Sequence, residues 1–169
     1  MGVTLNPEKC EFSVQSMTYL GHLVSEHGIS PDPEKTDAIV KFPAPTNVTE
    51  VRRFLGMVNQ LAKFIPNISE VTAPIRLLLG KSTAWCWESQ QEKSFQDLKN
   101  ILLSAEVLCH YDREHPTRVA TDASQHGLGG VLLQEKQGIW RPVAYASRSL
   151  TPAESQYAAV EKEALAVTW

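Results

Sequence analysis

Three cysteines in 169 residues, Cys10, Cys86 and Cys109, stand far apart and form no CxxC pair, so neither a disulfide framework nor a zinc cluster organises this chain. No apolar run approaches the roughly 20 residues that cross a bilayer. The start of the chain shows no basic segment followed by an apolar stretch, so no signal peptide is legible. An intracellular protein without a membrane partner is the expectation. Cationic excess is missing too: the net charge is −3, with eight Lys/Arg against eight Asp/Glu over 1–81 and eight against eleven over 82–169. A nucleic-acid role therefore has to be argued from motifs and not from charge. The five histidines form no HExxH, and neither a GxSxG elbow nor a phosphate-cradling GxxxxGK[ST] loop is present.

What is present is organised in blocks. Cys10–Val14 and Tyr19–Ser25 alternate enough to predict two strands joined at Gln15-Ser16-Met17, with a turn at Glu26-His27-Gly28. Pro33 suits the first turn of a helix through Val40, stopped by Pro43 and Pro45. Asn47 with Glu50 reads as a capping box, after which Val51, Phe54, Leu55, Val58, Leu61, Ala62 and Ile65 keep helical spacing up to Pro66. A short helix is expected over 74–79. Another follows Ser89 and Glu92, with Phe95, Leu98, Leu102 and Leu103 on one face. From about residue 105 the pattern turns to strands: Thr117–Asp122, Val131–Gln134 and Trp140–Tyr145, with a turn at Lys136-Gln137-Gly138. Thr151, Pro152 and Glu154 predict the start of a last helix whose apolar stripe is Tyr157, Val160, Ala164 and Val167. That helix runs to Trp169 without a stop signal, so the last domain reads as truncated.

Two carboxylates invite a chemical reading. Asp122 ends a strand that reads as buried, and Glu163 flanks the stripe of the last helix. If the helix packs on the sheet, both can converge on one hard divalent cation, which prefers carboxylate oxygens. Spacing alone leaves Glu161, on the other flank, equally eligible. The strand–Asp–glycine-rich turn–strand run also fits the phosphate hairpin of actin-like ATPases, with ATP as the rival ligand. Arg52, Arg53 and Lys63 lie off the apolar stripe, where a solvated face is the default and a phosphate contact the alternative.

The ordered strings LNPEKCEF, TYLGHLVSEHGISPDPEK, VRRFLGMVNQLAKFIPNIS, APIRLLLGK, the WCW segment at 85–87, SFQDLKNILLSAEVL, VATDASQHGLGGVLLQ, RPVAYASRSL and YAAVEKEALAV resemble, together, the Pol polyprotein of Ty3/gypsy-class LTR retrotransposons. The resemblance implies an α+β, multi-part fragment. Residues 1–30 correspond to the end of the reverse transcriptase palm, 31–80 to a helical thumb, 81–113 to a connecting segment and 114–169 to a truncated RNase H-like α/β domain. It implies a primer-grip role for Tyr19, Leu20, Gly21 and His22, and duplex contacts for Arg52, Arg53 and Lys63. It selects Asp122 and Glu163, over Glu161, as metal-binding catalytic carboxylates for Mg²⁺ or Mn²⁺. The implied partners are an RNA–DNA hybrid or template–primer duplex and the rest of the polyprotein. The polymerase aspartates and further RNase H acids are absent from these residues, so inactivity of this stretch alone is the expectation, with a non-enzymatic binding remnant or an unstable truncated frame as alternatives.

Overall fold

Leu20 and Gly21 both take left-handed backbone (φ 49° and 79°), the two-residue loop whose twist matches paired strands. They join β1 (Ser16–Tyr19) to β2 (His22–Ser25), with Tyr19 opposite His22. The predicted turn at 15–17 is therefore the start of a strand, and Cys10–Val14 is not a strand at all. Gly21 was the turn signal, and the alternation around it concealed that. The computed structural model describes residues 6–80 and 83–169. The first five residues of the palm-like segment, including the start of LNPEKCEF, lie outside them.

β3 (Gly28–Pro31) completes an antiparallel sheet in the order β1-β2-β3. Gly28 sits at φ 138° with the Leu108 carbonyl where a side chain would begin, and Ile29 and Leu108 exchange both backbone hydrogen bonds at 2.8 Å. One residue on, Cys109 N–H donates to the Pro142 carbonyl, so residues 108–109 tie this sheet to the second one.

The helices follow as the caps dictate. Asp32 accepts from Glu34 N–H at 3.0 Å and opens α1 (Pro33–Val40). Asn47 accepts from Glu50 N–H at 3.0 Å and opens α2 (Val48–Gln60), while the Glu50 carboxylate closes the box on Thr46 instead of Asn47. α2 ends at Gln60, earlier than the periodicity suggests, because Ala62–Phe64 tighten into a 3-10 turn. The stripe is nonetheless continuous in space: Val51, Phe54, Val58, Leu61 and Ile65 are all fully buried. α3 (Ile68–Val71) and α4 (Ala73–Leu77) follow.

α5 (Ser89–Leu103) is capped one residue earlier than expected: Glu88 N–H donates to Gln91, and Glu92 is taken instead by the Trp87 indole at 2.8 Å. Phe95, Leu98 and Leu102 enter the core, but Leu103 points outward. Phe54 meets Phe95 at 4.6 Å and Phe42 at 5.6 Å between ring centroids, a tilted aromatic cluster at the centre of the helices. Burial of each such side chain contributes about 1.5–3 kcal/mol.

β4 (Thr117–Ala123), β5 (Gly127–Lys136) and β6 (Ile139–Ser149) form the second antiparallel sheet, with β5 central. The β5–β6 turn is Gln137-Gly138, both left-handed, as the sequence predicts. Gly127–Gly130 belong to β5 and are not a loop, because α3 lies close against them. A β-carbon on Gly127 would come within 2.6 Å of Ser69 Cβ, and one on Gly129 would collide with the Asn67 carboxamide.

Two expectations about the last helix fail. The Thr151–Glu154 box forms, but it opens only a 3-10 turn, and α6 (Ala159–Thr168) begins later. With the start displaced, the sheet-facing line is Lys162, Leu165 and Ala166, while Val160 and Val167 are each 74 % exposed. Of the predicted stripe, Val160 and Ala164 are exposed, while Val167 still borders the groove between α6 and the sheet. β4 is also not buried: as the edge strand it exposes most of its side chains.

Candidate metal and nucleic-acid sites

Asp122 pairs with Gly129 across the β4–β5 ladder, so its carboxylate meets no opposing side chain. Ser124 stiffens the chain just after it. The Ser124 hydroxyl accepts from His126 N–H at 3.2 Å and Gly127 N–H at 3.1 Å, and its own N–H reaches the Gly127 carbonyl at 2.9 Å. Asp122 is exposed and lines a small pocket with Asn67, Glu70 and Ser147. It also borders a cleft of about 190 Å³ floored by Ala120, Val131 and Tyr145. Asn67 holds left-handed backbone (φ 47°, ψ 39°) at the start of α3, which places its carboxamide over Gly129.

α6 lies on the other side of the sheet. Ala166 and Trp169 border a groove with Val119, Thr121 and Leu132, the residues that alternate with Ala120, Asp122 and Val131. The Arg148 guanidinium lies 5.7 Å from the Trp169 ring. Glu163 is exposed and shares no pocket with Asp122. The two carboxylates share none of the cavities described above, and among the described residues no group of three or more His, Cys, Asp or Glu stands close enough to hold a metal ion. Two carboxylates suit a hard cation in kind, and substrate phosphates commonly complete such a site, but here the two line no described cavity together.

The structure does separate the two helix acids. Glu161 accepts from Ala158 N–H at 2.7 Å and so caps α6. Among the described residues Glu163 has neither a hydrogen-bond nor an ion-pair partner, and the same holds for Asp122.

The cationic candidates divide into two places. Arg52 and Arg53 are exposed near the N-terminal end of α2, with Arg53 5.7 Å from the Phe42 ring. Lys63 lies beyond the C-terminal end, 5.1 Å from the Phe64 ring, and burial pushes its ammonium pKa down. The same Phe64 ring meets His22 edge-on at 5.4 Å. Burial first, then Lys63 and Lys35, lower the His22 pKa, against a smaller opposing pull from Asp32. Tyr19 and Leu20 protrude from the hairpin tip, 60 % and 78 % exposed. The fold thus brings Tyr19–His22 and Lys63 together and leaves Arg52 and Arg53 apart. Lys35, Asn67 and Glu70 are neighbours of these sites that the sequence reading missed, since only the tertiary packing brings them there.

Comparison with known proteins places the fold and the sequence in a family. Residues 87–169 match the RNase H-like domain found in reverse transcriptase. The chain is 41 % identical over 176 residues to the retrovirus-related Pol polyprotein from transposon opus of Drosophila melanogaster, covering 98 % of this chain and 18 % of that protein. It is 37 % identical over 164 residues to the transposon Tf2-3 polyprotein of Schizosaccharomyces pombe, covering 96 % of this chain and 12 % of the relative. The chain thus spans less than a fifth of the length of these relatives. Among solved structures it resembles the foamy viral protease-reverse transcriptase in complex with RNA/DNA hybrid, at TM-score 0.75 and 26 % identity over 91 % of this chain and 21 % of that one. The same viral protein in complex with dsDNA gives TM-score 0.75 and 25 % identity, over 92 % of this chain and 33 % of that one.

Proposed function

Residues 87–169 belong to the RNase H-like domain family found in reverse transcriptase, within a segment of a retrotransposon Pol polyprotein, and from that premise we propose that the chain serves hybrid cleavage in its parent. The parent makes DNA on an RNA template and cleaves the RNA of the resulting hybrid. Residues 114–169 act as the strand-and-helix part of the RNase H-like domain, 81–113 as a connection whose residues from 87 on also fall within the family match, 31–80 as thumb and 1–30 as the end of the palm. The partners are an RNA–DNA hybrid or template–primer duplex, and the Tyr19–His22 tip holds the primer end.

The observation that carries this reading is the unpaired Asp122 carboxylate, held by a regular ladder at the end of β4 beside an open cleft, inside the matched domain. Asp122 and Glu163 are its catalytic carboxylates, and the remaining donors of a Mg²⁺ or Mn²⁺ site lie elsewhere in the polyprotein. Such an ion, once bound, neutralises charge on a phosphodiester and orients water. This chain's own part is to fix Asp122 by the Gly129 pairing and the Ser124 turn, and to keep Glu163 free by giving the cap of α6 to Glu161.

The test compares Glu163→Gln with Glu161→Gln in the polyprotein that carries this chain, reading RNA cleavage in a hybrid. Glu163→Gln should lose more than the roughly 10–100-fold typical of groups that merely support a ligand. Glu161→Gln, whose amide oxygen can still accept from Ala158 N–H as Gln91 does from Glu88 N–H, should keep both cleavage and the melting midpoint. The reverse pattern would overturn the assignment.

A further inference from the structure

The turn between β1 and β2 is bare at Gly21, and a side chain from a different element fills the space. Lys35, in the first half of α1, crosses it so closely that a β-carbon on Gly21 would stand 2.7 Å from Lys35 Cε and would collide with the ammonium. Lys35 Nζ donates to Gln60 Oε1 at 2.9 Å, which fixes the side chain between the turn and the end of α2. Lys63 approaches from the following 3-10 turn, over Phe64 and beside His22.

Among the described residues these ammonium groups lack counter-ions, as do Lys99, Lys136 and Lys162, but only Lys35 and Lys63 flank the hairpin turn. Lys41 and Lys93 each bind an acid on their own helix, Asp37 at 2.7 Å and Asp97 at 3.4 Å. Among the described residues neither Lys35 nor Lys63 has a carboxylate within 4.0 Å, and the nearby Asp32 is occupied in capping α1. Both ammoniums stand near the same imidazole and add to the burial that chiefly lowers the His22 pKa. Two like charges are therefore gathered around an exposed backbone turn, next to the protruding Tyr19 and Leu20. An anion that brings its charge close to the backbone relieves that repulsion. A repeating phosphodiester with apolar base faces matches both the cations and the exposed apolar tip.

We infer that Lys35, with Lys63, contacts the phosphodiester backbone of the strand held at the hairpin tip, and that glycine at position 21 is what lets Lys35 lie across the turn. The inference rests on the reading of this hairpin and the thumb-like helices as a duplex-contacting surface. It adds a residue from α1, the last of the string TYLGHLVSEHGISPDPEK, to which the resemblance assigns no role.

Fluorescence anisotropy of the full chain with a labelled RNA–DNA hybrid, across a series of salt concentrations, tests it. The variants are Lys35→Gln, Lys35→Arg and the control Lys41→Gln. Each phosphate contact contributes about 0.9 to the slope of log K against log salt. Lys35→Gln should flatten the slope by about that amount with an unchanged melting midpoint. Lys35→Arg should keep the slope, and Lys41→Gln should leave it near the wild-type value. An unchanged slope in Lys35→Gln, or an equal loss in Lys41→Gln, would overturn the role of Lys35 while leaving duplex binding intact. Absence of salt-dependent binding in the wild-type chain would overturn both this inference and the reading beneath it.

Discussion

Three glycines whose surroundings differ give a graded test of how the helices sit on the second sheet. A β-carbon at Gly127 would lie 2.6 Å from Ser69 Cβ and 2.7 Å from the Arg148 carbonyl oxygen, so α3 or the β6 backbone has to move. Overpacking of that kind costs about 1–3 kcal/mol. At about 2–4 °C per kcal/mol for a chain of this size, Gly127→Ala should lower the melting midpoint by roughly 2–12 °C. Gly129 meets the end of the Asn67 side chain, which can swing away, so Gly129→Ala should cost less than about 1.5 kcal/mol. Gly56, exposed inside α2, has nothing within 4 Å of its would-be β-carbon. There alanine removes freedom from the unfolded chain and should gain about 0.5–1 kcal/mol. Thermal unfolding followed by circular dichroism should therefore rank Gly56→Ala above wild type, wild type above Gly129→Ala, and Gly127→Ala last. A Gly127→Ala chain that melts at or above the wild-type midpoint would refute the seating of α3 on β5 and β6.

Gln134 is fully buried in the central strand, where its amide accepts from Asp112 N–H at 2.8 Å and donates to the Asp112 carbonyl and, at 2.9 Å, to Thr117 Oγ1. Gln134→Leu leaves those groups unpaired, and urea unfolding should register a loss of roughly 1–3 kcal/mol. The Arg148 guanidinium binds Glu154 through both oxygens at 2.8 and 3.0 Å and, with Thr151 N–H, pulls its pKa from 4.5 to about 2. A carboxylate depressed on folding stabilises the fold above its free pKa and stops doing so as pH falls through the folded value. The melting midpoint should thus fall between pH 4.5 and 2, and Glu154→Gln should make that decline shallower. An identical pH profile in the variant would remove this ion pair from the account.

Local chemistry was legible where one residue decides the backbone. Asn47 capped α2, Pro33 opened α1, and Gln137-Gly138 turned β5 into β6. The stripe Val51, Phe54, Val58, Leu61 proved to be core even though the helix bearing it ends early. Misreadings arose where two local signals competed. Gly21 was absorbed into an alternating run, and Thr151–Glu154 formed its box over a single 3-10 turn. The latter shift displaced the start of the last helix, so Val160 is left exposed and Lys162, Leu165 and Ala166 are its more buried side chains. Of the candidate site, the placement of Asp122 near a strand end was legible, whereas helical spacing treats Glu161 and Glu163, on the two flanks, alike. The hydrogen bond from Ala158 breaks that symmetry. The approach of Asn67 to Gly129, and of Lys35 to Gly21, joins residues far apart in sequence and leaves no periodic trace.

The most direct measurement uses the Pol polyprotein that carries this chain and follows DNA synthesis and RNA cleavage on one hybrid substrate, wild type against Asp122→Asn. The account predicts that cleavage is lost while synthesis continues, since the polymerase acids lie outside these residues. Cleavage that persists in Asp122→Asn would contradict it.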